Sequence, residues 1–85
     1  MKIDLSGPEP TIDAADLARA LGLDPARVQP LMRAGEITST YEIGVGEDAG
    51  RHRLTFRHGD LRVRFTCDDA GEVLKTSRIT SRPRP

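Results

Sequence analysis

Several things are scarce in this chain of 85 residues, and each scarcity excludes something. There is a single cysteine, Cys67, so no internal disulfide framework can staple the fold. There is no tryptophan, and the aromatics are Tyr41, Phe56 and Phe65, so the core must be built mainly of Leu, Val and Ile. No apolar run approaches the roughly 20 residues a membrane helix needs. The opening stretch "MKIDLSGPEP" holds no hydrophobic segment of signal-peptide type. The expectation is a soluble cytoplasmic protein with no membrane association.

Hydrophobic residues make up 36% of the chain and charged residues 31%, which fits one small globular domain with a thin core. A chain of this length buries only about 60–65% of its unfolded surface, so its stability margin is narrow. Formal net charge is zero, yet the halves differ. Residues 1–50 hold four basic against nine acidic residues, a net −5, and residues 51–85 hold nine against four, a net +5. Such asymmetry points either to an anionic partner or to the two halves packing on one another.

Periodicity divides the chain. A short strand is expected over residues 2–5, before a Gly-Pro turn. Leu17, Ala18 and Leu21 share one helical face, with Asp13 as N-cap, Asp16 completing a capping-box pattern and Gly22 as the stop. Asp24-Pro25 opens a second helix with an apolar stripe of Val28, Leu31 and Met32; Pro30 should kink or shorten it, and Gly35 should end it. Helices are therefore expected over 14–21 and 25–34. From Ile37 the period becomes two, giving strands over 37–45, 51–57, 61–67 and 72–78, with "HG" at 58–59 as a hairpin turn. The fold class this implies is α+β, with two short N-terminal helices packed on a three- to four-stranded antiparallel meander. The domain spans 1–78, and 79–85 form a loose tail. The helices are the available cover for the apolar face of the sheet.

The stretch "RHRLTFRHGDLRVRF" carries the sharpest functional signal. Alternation sets Arg51, Arg53, Arg57, Arg62 and Arg64 on one side of a hairpin, away from Leu54, Phe56, Val63 and Phe65. Guanidinium groups so arranged suit carboxylate or phosphate. The plain alternative is a solvated polar face completed by Thr55 and Thr66. The face has no aromatic residue to stack on bases, which counts against single-stranded nucleic acid. The partner-binding set is those arginines, with Glu47 and Asp48 at the adjoining turn. The partner is another protein or a second copy of the chain, since an exposed edge strand can pair across a two-fold axis.

Residues 14–34 resemble a helix-turn-helix, with Ala18, Gly22, Val28 and Leu31 at fitting intervals. The resemblance implies a winged helix-turn-helix DNA-binding regulator as the alternative, with Arg27, Gln29 and Arg33 as its contacts and the arginine hairpin as its wing. The acidic surroundings have the wrong sign for a phosphate backbone. DNA binding would require the second helix and the arginine face on one continuous surface.

Metal and catalytic motifs are missing. His52 and Cys67 sit on neighbouring strands, but two ligands do not make a zinc site, and His58 is placed in a turn away from them. There is no nucleophile elbow, phosphate loop or carboxylate pair. The reading is a non-enzyme with no metal and no cofactor. Across residues 11–77, the "LGL…P…V" helix pair, "GEITS", "GEDAGRHRLTF" and the closing "DAGEVL" resemble a family of short, uncharacterised proteobacterial proteins. That resemblance implies a bacterial, single-domain protein and no activity.

Overall fold

Two aspartates start the helices. Asp13 accepts a hydrogen bond from the Ala15 N–H, and Asp24 one from the Ala26 N–H, each satisfying a donor the first turn leaves unpaired. The computed structural model describes residues 1–80. It contains β1 (Ile3–Asp4), β2 (Thr11–Ile12), α1 (Ala14–Leu21), α2 (Pro25–Arg33), β3 (Ile37–Ile43), a short 3-10 helix (Gly46–Asp48), β4 (His52–His58), β5 (Leu61–Cys67) and β6 (Val73–Thr80).

The architecture is α+β, but the helices follow the first strands rather than opening the chain. β1 and β2 form a separate two-stranded antiparallel pair, and β3-β4-β5-β6 form a four-stranded antiparallel meander. Local periodicity could not disclose β2, because two residues are too short for an alternation. Ile3 is 1% exposed and fixes the N-terminal segment to the far end of the meander. Its N–H donates to the Gly71 carbonyl at 2.8 Å, and the Val73 N–H donates to the Met1 carbonyl at 3.2 Å.

Both helices close with the paired bonds of a Schellman motif: Leu23 N–H to Ala18 O beyond α1, and Glu36 N–H to Leu31 O beyond α2. Asp16 does not act as a capping-box partner; its carboxylate lies 3.5 Å from Arg19. α2 runs through Pro30 to Arg33, because the proline sits early enough to cost a single backbone bond. The β4–β5 hairpin turn is Gly59–Asp60, one residue later than expected, and His58 belongs to β4. β6 continues through Ile79 and Thr80, two residues into the stretch expected as a tail; residues 81–85 of that tail lie outside the described residues.

One core joins the layers. Leu17, Ala18, Leu21, Val28 and Leu31 from the helices meet Ile37, Leu54, Phe56, Val63, Phe65 and Cys67 from the sheet, with Ile3 closing one end. Phe56 and Phe65 pack edge-to-face with centroids 6.1 Å apart. The cover is incomplete. On β3 the inward-facing series Ile37, Ser39, Tyr41, Ile43 starts buried at Ile37, but Ile43 is 63% exposed and Met32 of the α2 stripe is 40% exposed. Among the described residues no helix is long and apolar enough to cross a membrane.

Candidate functional site

Strand register builds the site. Because the helices pack on Leu54, Phe56, Val63 and Phe65, the alternate residues of β4 and β5 face outward, and among the described residues no element lies over them. Across that outer face Glu42 stands opposite Arg53, Arg53 opposite Thr66, and Thr66 opposite Lys75. Thr40, Thr55, Arg64 and Ser77 form the next row. Thr38, Arg57, Arg62 and Ile79 form the third. Thr55 is at the centre and only 4% exposed, flanked by Thr40 and Arg64 on the neighbouring strands. The Arg64 Nε–H donates to its hydroxyl at 3.3 Å.

The five arginines of the sequence reading share this face, in two groups. Arg51, Arg53 and Arg64 surround a shallow depression of about 350 Å³ whose walls also include Asp48, Thr66, Lys75 and Ser77. Arg57 and Arg62 stand directly opposite each other, nearer the Gly59–Asp60 turn. Like charges directly opposite on a ladder destabilise it. The Arg62 Nε is buried and has no hydrogen-bond partner among the described residues. Asp48 reaches Arg53 at 3.4 Å, but its side chain is 57% exposed, so the pair neutralises little. Glu47 is exposed on the 3-10 helix and lies outside the depression. Lys75 and Ser77 were not anticipated. A register shift at Thr66/Cys67 interrupts the β6 ladder, so alternation in "VLKTS" does not assign their side.

Arg27, Gln29 and Arg33 are exposed on α2, which buries Val28 and Leu31 against the inner face. They and the arginine face therefore lie on opposite sides of the sheet. The continuous surface a winged helix-turn-helix would require is absent among the described residues. Gln29 instead borders a groove of about 490 Å³ between the Pro8–Ile12 segment, α2 and β3, with Met32, Tyr41, Leu54 and Phe56 in its walls.

A second constellation went unanticipated. Tyr41 Oη and His52 Nδ1 are 2.6 Å apart, and His52 Nε2 is 2.7 Å from Asp69 Oδ1. The two rings also stack, with centroids 5.9 Å apart. With Nε2 protonated, Nε2–H donates to the carboxylate and Nδ1 accepts a hydrogen bond from the tyrosine O–H, so one chain of bonds ties β3, β4 and the β5–β6 turn together. Residues spaced 11 and 17 apart carry no local signal of this. His52 stands opposite Cys67, as expected, but both its nitrogens are engaged. Among the described residues no group of three His, Cys, Asp or Glu side chains converges to hold a metal. Burial pushes the Cys67 thiol above its ordinary pKa, with Asp68 and Asp69 adding to the shift. Burial also raises the Tyr41 hydroxyl, helped by Cys67 and Asp69. Both groups are thus held protonated, the unreactive form of each.

A family model matches the chain over residues 1–85, and its description is "Family of unknown function (DUF6522)". Neither a curated protein nor a solved structure matches.

Proposed function

We propose, for a chain that belongs to this family of unknown function, a non-catalytic accessory or regulatory module that binds another protein through the outer face of its sheet. The observation that carries the reading is a β-face that gathers six cations from three neighbouring strands and the turn before β4. Arg51, Arg53, Arg57, Arg62, Arg64 and Lys75 share it, and the Asp48 carboxylate that meets Arg53 there at 3.4 Å is itself 57% exposed. The fitting partner is an extended acidic segment, whose carboxylates would accept the paired donors of the guanidinium groups. Charge of this kind contributes association rate and selectivity more than raw affinity. Ile79, 53% exposed beside Arg62, supplies an apolar contact that a protein surface can use and a phosphate backbone cannot.

The non-catalytic part of the reading is supported by Cys67 and Tyr41, whose pKa values move away from nucleophilic forms. The test compares an acidic peptide with a random-sequence DNA duplex over a salt series, using the protein and its Arg53→Glu/Arg64→Glu variant. Salt-sensitive binding of the peptide, lost in the variant, is expected. Duplex binding that disappears in the variant would make the face a nucleic-acid surface instead. Silence with both probes at low salt would mean the arginines are merely solvated.

A further inference from the structure

The two edges of the sheet are not alike. β6, "VLKTSRIT", carries Lys75 and Arg78 and a register shift, which are devices that keep an edge strand from pairing. β3, "ITSTYEI", has one charge in seven residues, no proline and no bulge. It also ends in uncovered apolar surface: Ile43 is 63% exposed and Val45, just beyond, 80%. An unguarded edge with apolar side chains beside it is an unfinished interface.

We infer that β3 pairs antiparallel with β3 of a second copy, about a two-fold axis at Thr40. Symmetry selects the centre. Thr40 is the midpoint of Ile37–Ile43, so the whole strand is paired only in this register. It places Ile43 beside Ile37 of the second copy and Tyr41 beside its Ser39, all on the inner face. On the outer face it places Glu42 beside Thr38, and Thr40 beside Thr40. Moving the centre back to Ser39 would set Glu42 against Glu36, a like-charge pair. Moving it forward to Tyr41 would pair residues 44 and 45, which lie outside the strand. No foreign strand needs to be supplied, because the edge complements itself.

Two consequences follow from the geometry. The groove between α2 and β3 has Ser39 and Tyr41 as its β3 wall, so the second copy's inner face extends that wall. An axis normal to the sheet also places both outer faces on the same side of one continuous sheet. A partner with two acidic segments would then meet two arginine sets at once. The dimer itself does not depend on the function proposed above.

Sedimentation velocity gives the first reading, with a species at twice the 9.3 kDa of the chain expected. Thr40 is exposed, so its substitution should not disturb folding, and far-ultraviolet circular dichroism checks this. Thr40→Lys and Thr40→Glu should each raise the dimer dissociation constant by about a hundredfold, since like charges would meet at the axis. An equimolar mixture of the two should recover the dimer, which an unfolded variant could not do. Thr40→Cys should form an intermolecular disulfide on mild oxidation, whereas wild type, with Cys67 buried, should not. A wild-type protein that stays at 9.3 kDa at its highest soluble concentration would overturn the inference. So would a dimer that both charged variants leave intact.

Discussion

Gly71→Ala tests how the N-terminal strand is held against the site. Gly71 is buried with φ +84, and a Cβ built there would overlap the backbone carbonyl oxygen of Ile3. Gly59→Ala is the matched control, since its φ is +59 and nothing lies within 4 Å of the added carbon. The left-handed conformation alone costs an alanine about 1–2 kcal/mol, and that should be the whole effect at Gly59. At Gly71 the chain must also separate. Losing the Ile3 N–H bond to the Gly71 carbonyl costs about 1 kcal/mol. Partial exposure of Ile3, now 1% exposed, adds about 1–2 kcal/mol. Gly71→Ala should therefore exceed its control by about 2–3 kcal/mol, or roughly 10–20 °C in melting temperature for a domain this small. Urea denaturation of the two variants measures the difference, and hydrogen exchange at the Ile3 amide shows whether β1 has detached. Equal destabilisation of the two variants would refute the close approach.

Other consequences are as direct. Arg57→Glu should stabilise the fold by about 0.5–1 kcal/mol at low salt, because a carboxylate would replace a like charge opposite Arg62. A lower denaturation midpoint in that variant would contradict a repulsion between Arg57 and Arg62. Tyr41→Phe removes the hydrogen bond to His52 and should cost about 0.5–1 kcal/mol, given the partial exposure of the site; an unchanged midpoint would mean that the bond contributes nothing. The raised pKa values of Cys67 and Tyr41 set a sign for alkaline pH. Folded protein retains those protons above the ordinary values of 9.0 and 10.0, so stability is fully present below them and declines as pH rises through them. Urea midpoints across roughly pH 8 to 11 test this, and thiol alkylation at neutral pH should proceed only as fast as the chain opens.

Features that depend on near neighbours along the chain were legible from residue order alone. Asp13 and Asp24 mark helix starts, because a short side-chain acceptor one residue ahead of the helix satisfies a donor that nothing else can reach. Alternation from Ile37 onward determined the meander and the common face of Arg51, Arg53, Arg57, Arg62 and Arg64, because a pleat sends successive side chains to opposite sides. Membership of a family of unknown function was likewise legible in the residues, and it names no activity. Other features were decided only when the chain closed on itself. Pairing of β1 with β2, burial of Ile3, and the Tyr41–His52–Asp69 chain join residues with no local pattern between them. Lys75 and Ser77 join the depression because of how β6 registers past an irregularity. The side of the sheet that the helices cover separated Arg27, Gln29 and Arg33 from the arginine face, and the short reach of two helices left Ile43 of β3 63% exposed. Periodicity assigns a side chain to a face; which face is covered, and by what, is set by contacts between elements distant in sequence.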